Sequence, residues 1–192
     1  MVKVNSTMLP LGTQAPSFSL YDPEGNLFTL DHSSKSNAFL VMFICNHCPF
    51  VHHIRKELAR LANDYIKRDV SIIAINSNDY ETHPGDSPEK MKDEIMEWGY
   101  NFPYLVDEDQ SVAIAYQASC TPDFFLFDNQ QQLVYRGQLD GGRPSNDIPV
   151  NGRDIRAALD TLLAGDDVSE EQIPSVGCNI KWKPNNSPEW FN

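Results

Sequence analysis

The seven-residue apolar run Ala38–Ile44 ends directly in Cys45-Asn46-His47-Cys48, and no other feature of the chain constrains its fold as much. A short run rich in β-branched and aromatic side chains predicts a strand buried on both faces. From Val51 to Lys67, Ile54, Leu58, Leu61, Ala62 and Tyr65 recur with helical spacing, which predicts an amphipathic helix. The cysteine pair therefore occupies the turn where a central strand hands over to a helix. Open α/β sheets collect their sites at such carboxyl ends.

The rest of the chain repeats this alternation. Two short apolar segments flank Asp22-Pro23-Glu24-Gly25-Asn26 and predict an N-terminal β-hairpin. Val70–Ile75 reads as a second buried strand. Ser87 as N-cap, Pro88 in the first turn and Gly99 as the stop frame a helix. Phe102–Val106 reads as a short strand and Gln110–Gln117 as a short helix. Phe124–Phe127 and Leu133–Tyr135 form a hairpin around Asp128-Asn129-Gln130, and Asp154–Leu163 a last helix closed by Gly165. The expected architecture is α/β, a central mixed sheet flanked by helices. Residues 1–165 would form the domain. Residues 166–192, spaced by Pro174, Pro184 and Pro188, would form an extended C-terminal tail packed on it.

Charge excludes one class of partner. Lys and Arg number 15 against 27 Asp and Glu, a net −12 over 192 residues. The densest basic run, Arg55-Lys56 to Lys67-Arg68, is interleaved with Glu57 and Asp64 and reads as a solvated helix face, so no nucleic acid is expected. No apolar run approaches the length of a membrane span, and no membrane partner is expected. The first twenty residues lack the apolar core of a signal peptide, so a cytoplasmic location is expected. Four cysteines are too sparse for a disulfide-stapled secreted scaffold. In a reducing compartment a close pair is redox-active or metal-binding.

The spacing of the pair suits thiol chemistry. A helix N-terminus offers unpaired N–H groups and a positive dipole end, which stabilise the reactive thiolate. Cys45 is expected at the first helical position, exposed and acidic, with Cys48 one turn in and more buried. His47 adds a titratable cation between them. The competing use of these side chains is a zinc or copper site built with His47, His52 or His53. No second Cys-x-x-Cys exists to complete four ligands, and the expectation is no metal and no cofactor.

Phe43-Ile44-Cys45-Asn46-His47-Cys48-Pro49 after an apolar strand resembles the thioredoxin-like fold. Gly12-x-x-Ala15-Pro16-x-Phe18-x-Leu20, Val112-Ala113-x-x-Tyr116, Thr121-Pro122 and Phe124–Asp128 resemble its redoxin branch, the alkyl hydroperoxide reductase/thiol-specific antioxidant proteins. The likeness covers roughly residues 10–165. It is closest to a peroxiredoxin-like bacterial group with a Cys-Asn-His-Cys-Pro site and a tail like Gly177-Cys178-Asn179-Ile180-Lys181-Trp182.

The resemblance implies a thiol–disulfide oxidoreductase with Cys45 as nucleophile and Cys48 as resolving thiol. His47 would destabilise the disulfide, within a range for this fold of about −270 to about −120 mV. Pro122 would be cis, and the Thr121 backbone would pair with an extended substrate strand. Partners would be protein or low-molecular-weight thiols and disulfides, with a reducing system such as thioredoxin or glutathione.

A thiol peroxidase with an antioxidant role is the alternative within this class, and a metal-binding protein the alternative outside it. Against peroxidase chemistry, Met42 stands where peroxiredoxins carry Thr three residues before the cysteine, and Arg55 is about two and a half turns from Cys48. Cys120, beside Thr121-Pro122, is either core filler or a redox participant. Cys178 sits in a tail long enough to cross the domain, about 33 Å over ten residues. A second disulfide between Cys178 and Cys120 is the sharper reading, and a packed tail cysteine the plainer one.

Overall fold

The computed structural model describes residues 2–191. In chain order the strands and helices are β1 (Lys3–Asn5), β2 (Phe18–Tyr21), β3 (Leu27–Leu30), β4 (Ala38–Phe43), α1 (Pro49–Tyr65), β5 (Val70–Asn76), α2 (Pro88–Trp98), β6 (Tyr104–Val106), α3 (Ser111–Ala115), β7 (Cys120–Thr121), β8 (Asp123–Phe127), β9 (Leu133–Gly137), α4 (Arg153–Leu163) and β10 (Val176–Asn179).

Seven strands form one mixed sheet in the order β3-β2-β6-β5-β4-β8-β9. β4 runs parallel to β5 and β5 to β6, whereas β8 returns antiparallel on the other side of β4. β4 is thus a central strand, and its apolar run is divided between two cores. Ala38, Leu40 and Met42 face α1 and α4, meeting Leu58, Leu61, Ile155 and Leu159. Phe39, Val41 and Phe43 face the other side, with Phe18, Leu30, Val112 and Tyr116. Alternate residues of a strand point to opposite faces, so an unbroken apolar run is what burial on both requires. Truncating Leu58, fully buried between α1 and the sheet, would cost about 2–5 kcal/mol.

Local signals set the helix ends. The Ser87 side chain accepts from Lys90 N–H, Pro88 follows it, and Gly99 closes α2 with φ +66°. Gly165 takes φ +84° just after the Ala164 C-cap of α4.

Three strands had no signal in the sequence, β1, β7 and β10. β1 and β10 lie in a second, three-stranded sheet ordered β1-β10-β7. β10 lies within the stretch expected to be an aperiodic tail. Four residues with two small ones, Gly177 and Cys178, carry too little pattern to read as a strand; the pairing comes from neighbours on both sides.

Among the described residues no helix is long and apolar enough to cross a membrane.

Candidate active site

α1 begins at Pro49, and Cys48 is its N-cap with φ −75° and ψ 124°. Proline disfavours helical backbone in the residue before it and favours the first helical position itself. The expectation that Cys45 takes the first helical position is therefore corrected by four residues, to Pro49. Cys45-Asn46-His47 form a loop ahead of it, and Cys48 is the sulfur nearest the helix dipole.

Neither sulfur is open to solvent: Cys45 is 1 % exposed and Cys48 0 %. The expected exposed Cys45 is a second correction. The Thr121 loop covers the pair. Cys45 Sγ lies 3.1 Å from Thr121 Oγ1, and the Cys48 S–H points at the Thr121 carbonyl, also at 3.1 Å.

The third correction concerns acidity. Burial pushes the Cys45 thiol up, and its hydrogen bond to Cys48 and the negative charge of Asp86 push it further; only the Thr121 hydroxyl opposes them. Cys48 is held well below its ordinary value, first by the hydrogen bond from Cys45, against burial, and then by a hydrogen bond from Cys178. The first-turn N–H of Val51 adds to this without a full capping bond. A Cys48 thiolate would face the Thr121 carbonyl, but three donors outweigh one acceptor. Of the two thiols, Cys48 is the one at which a negative charge is favoured.

Asp86, in the turn before α2, organises the loop between the cysteines. Its Oδ1 accepts the N–H of Asn46 (2.7 Å) and of His47 (3.2 Å); its Oδ2 meets His47 Nδ1 at 2.5 Å and accepts from Asn78 Nδ2 at 2.8 Å. Burial raises its pKa, but these hydrogen bonds outweigh it and hold the carboxyl below its ordinary value. His47, 24 % exposed at its side chain, also stacks on His83 with ring centres 5.4 Å apart.

Asn46 is saturated. Its side-chain oxygen accepts from Tyr104 (2.9 Å), its amide donates to the Gly85 carbonyl (3.1 Å), and its own carbonyl meets His52 Nε2 (2.5 Å) and accepts from Arg55 (2.7 Å). Arg55 thus returns to the cysteine loop, closer than helical distance from Cys48 suggests. Its other donors pair with Glu94 at 2.6 Å. Burial, only partly offset by Arg55, pushes the Glu94 carboxyl up to about 7.

The Thr121–Pro122 peptide is cis. The backbone edge expected to take a substrate strand is occupied by the chain itself, because β10 pairs antiparallel with β7, Cys178 opposite Thr121 and Asn179 opposite Cys120. Ser175 Oγ donates to the Pro122 carbonyl (2.6 Å) and Ile180 N–H to the Ser119 carbonyl (3.0 Å). Strand alternation turns Cys178 to the Thr121 side, where it packs with Cys45 and Cys48 in one core cluster. Cys120 alternates to the opposite side, with its thiol toward the Pro122 carbonyl. Of the two readings for Cys178, the tail does pack it, on the Thr121 side with Cys48, while Cys120 alternates to the other side of β7.

Donor atoms of Cys45, His47 and Asp86 lie within 4.8 Å of one another, a set able to hold a metal ion with one position open. Sequence reading missed Asp86; its signal was a carboxylate beside His83-Pro84-Gly85, which reads equally as an ordinary loop. A surface depression of about 690 Å³, lined by Phe18, Leu20, Val112 and Lys183 among others, includes neither cysteine of the pair.

The sequence pattern of the AhpC/TSA family matches residues 11–136, from the first turn through β9. The chain belongs to the AhpC/TSA family. Its fold is thioredoxin-like: the thioredoxin domain of a thiol-disulfide oxidoreductase from Bacteroides vulgatus superposes with a TM-score of 0.57 at 20% identity, over 68% of this chain and 89% of that one. The crystal structure of an uncharacterized conserved protein from Geobacillus kaustophilus is much nearer, with 58% identity and a TM-score of 0.93 over 96% of this chain and 98% of its own. Thiol-disulfide oxidoreductase ResA of Bacillus subtilis (strain 168) is 29% identical over 128 residues. That stretch is 64% of this chain and 64% of ResA, so the likeness spans less than two thirds of either.

Proposed function

We propose that this chain is a thiol–disulfide oxidoreductase that exchanges a disulfide between the Cys45–Cys48 pair and a thiol or disulfide substrate. The single observation carrying this reading is the placement of two thiols, Cys48 at the helix N-cap and Cys45 three residues before it, both against the Thr121 hydroxyl and carbonyl at 3.1 Å. The name of the ResA relative supports the same reaction class.

Cys45 is the proposed nucleophile and Cys48 the resolving thiol. As Cys45 attacks, its proton passes by way of Cys48 to the first departing substrate thiolate, leaving Cys48 as the thiolate. Cys48 then attacks Cys45 Sγ of the mixed disulfide, the Cys45–Cys48 bond forms, and the second substrate thiolate leaves to be protonated from solvent. His47, fixed by Asp86, holds its imidazole within 4.8 Å of the Cys45 sulfur. Substrates are protein or low-molecular-weight disulfides. The setting proposed is the cytoplasm, with a thioredoxin or glutathione system as electron source. Because β10 occupies the Thr121 edge, an extended polypeptide docks there only after β10 moves.

Insulin disulfide reduction tests the reading. Cys45→Ser should abolish turnover, and Cys48→Ser should accumulate mixed disulfides. Full activity in Cys45→Ser overturns it.

One observation favours a second reading, peroxide reduction with an antioxidant role: the Thr121 hydroxyl and the returning Arg55 lie near Cys45. Arg55 is committed to Asn46 and Glu94, and Cys45 is raised, which supports slow peroxide chemistry. Stopped-flow reaction with hydrogen peroxide separates the two. Zinc titration, read by tryptophan fluorescence in Cys45→Ala and Asp86→Ala, addresses the metal-binding alternative.

A further inference from the structure

β10 lies where a substrate strand would lie, and it carries a cysteine. Cys178 stands opposite Thr121, and Thr121 in turn contacts both Cys45 and Cys48. Cys178 is 4 % exposed and shares one core cluster with the pair. Cys48 Sγ lies 3.1 Å from the carbonyl oxygen of Thr121, the residue that Cys178 pairs with, so the two thiols meet on the same side of the Thr121 backbone.

The strand is held in this register rather than resting on the surface. A β-carbon on Gly177 would stand 2.1 Å from the Thr121 carbonyl oxygen, so only glycine permits the approach. Hydrogen bonds fix both ends: Ser6 N–H to the Ser175 carbonyl at 3.0 Å, and Lys181 N–H to Asn78 Oδ1 at 2.9 Å. Asn78 also donates to Asp86, so one network ties the tail to the cysteine loop.

We propose that Cys178 is a third redox thiol of this site, forming a disulfide with Cys48 that competes with Cys45–Cys48. The proposal rests on the exchange reading for its source of oxidation. A substrate disulfide first oxidises Cys45 and Cys48, leaving as two thiols with two electrons and two protons. The Cys178 sulfur then attacks Cys48 Sγ. The Cys48–Cys178 bond forms, the Cys45–Cys48 bond breaks, and the electron pair goes to Cys45, which takes up the proton Cys178 has lost. No electrons leave the protein, and one disulfide per chain remains. The oxidising equivalent is stored beneath β10 while Cys45, beside His47 and Asp86, is returned as a thiol.

Tryptic mapping tests this. Cleavage after Lys35 and Arg55 leaves Cys45 and Cys48 on one peptide, cleavage after Arg156 and Lys181 leaves Cys178 on another, and Cys120 falls on a third. The full chain is reduced, treated with one equivalent of oxidised glutathione, blocked with N-ethylmaleimide at low pH and digested without reductant. Near-ultraviolet circular dichroism confirms that each variant is folded. The wild type should yield the peptide 36–55 joined to 157–181. This species should persist in Cys45→Ala, where glutathione disulfide reacts with Cys48 directly and Cys178 then attacks the Cys48–glutathione bond and expels glutathione as its thiolate. It should vanish in Cys48→Ala and Cys178→Ala. If Cys178 is recovered wholly blocked while Cys45–Cys48 forms and insulin is reduced, the third thiol is wrong and the exchange reading stands. If the joined peptide forms but insulin reduction is absent, the exchange reading fails and the pairing stands. A joined peptide lost in Cys45→Ala and kept in Cys48→Ala overturns the assignment of Cys48 as the partner.

Discussion

Gly177 passes against the backbone of Thr121 so closely that any β-carbon would collide with the Thr121 carbonyl at 2.1 Å and its carbon at 2.6 Å. The strand β10 and the cis-proline loop therefore behave as one packed unit. The cysteine pair beneath them is shielded by the chain's own C-terminal segment.

Gly177→Ala should break that unit. The atom met is backbone, which cannot swing aside as a flexible side chain can, so β10 must lift from β7. Overpacking of this kind costs about 1–3 kcal/mol, or a fall in Tm of roughly 2–4 °C for each kcal/mol in a chain of this size. Lifting β10 also uncovers the thiols, so alkylation of Cys178 and Cys45 by iodoacetamide should accelerate in the folded protein. Calorimetry and timed alkylation check both; an unchanged Tm with unchanged protection removes the close-packing account.

Cys45 should titrate above the ordinary thiol value of about 8.5, first because it is buried and then because of Cys48, and Cys48→Ala should bring it down. The cause is local. In the wild type Cys45 donates to Cys48, and ionising it would set two negative sulfurs side by side. Removing Cys48 removes that penalty and leaves the Thr121 hydroxyl as a stabilising donor. Thiolate absorbance against pH in the two proteins measures the shift. A Cys45 midpoint that rises in Cys48→Ala contradicts this account.

The chain shows which parts of such a site are legible before a structure. β4 was legible because burial on two faces needs an unbroken apolar run, and α2 because Ser87, Pro88 and Gly99 each have a local conformational reason. The cysteine turn was legible as a place but not as an electrostatic arrangement. Pro49 moved the helix start past Cys48, and a rule for prolines was available to say so. The contribution of Asp86 was not legible. It acts from 40 residues away through bonds to Asn46 and His47, and nothing in its own neighbourhood distinguishes it from a turn carboxylate. β10 was illegible for a similar reason: a strand with glycine and cysteine at its centre is specified by its partners on both sides.

Asp86→Asn should loosen the loop and make Cys45 more acidic. The carboxylate accepts two backbone N–H groups and two side-chain donors, and the amide must present a donor to one of them; the cost is about 1–3 kcal/mol. Its negative charge also raises Cys45, so its removal lowers the Cys45 midpoint. The folded-state pKa of Asp86 is depressed, so its stabilisation is present above the unfolded value of about 3.9 and lost as pH falls through the folded value. The stability gap between wild type and variant should accordingly close below about pH 4. A gap that stays constant into strong acid rules out the ionised carboxylate as its source.

Asp123 should make the protein less stable as pH rises toward neutrality. It follows the cis-proline, is fully buried, and accepts from Ser6 Oγ at 2.7 Å. Burial pushes its carboxyl up to about 7 against that hydroxyl and the N–H groups of Ser119 and Phe124. The folded protein then holds a proton that the unfolded chain has released. Stability from this group is complete below the unfolded value of about 3.9 and falls as pH rises to about 7. The shift from 3.8 to about 7 sets an upper limit of about 4 kcal/mol on that loss. Asp123→Asn keeps an acceptor for Ser6 and cannot ionise, so its stability should not carry this slope. Urea unfolding of both proteins at about pH 5 and about pH 8 is the measurement. The wild type should lose stability across the interval relative to the variant, and parallel behaviour would mean that Asp123 is already ionised in the folded protein at pH 5.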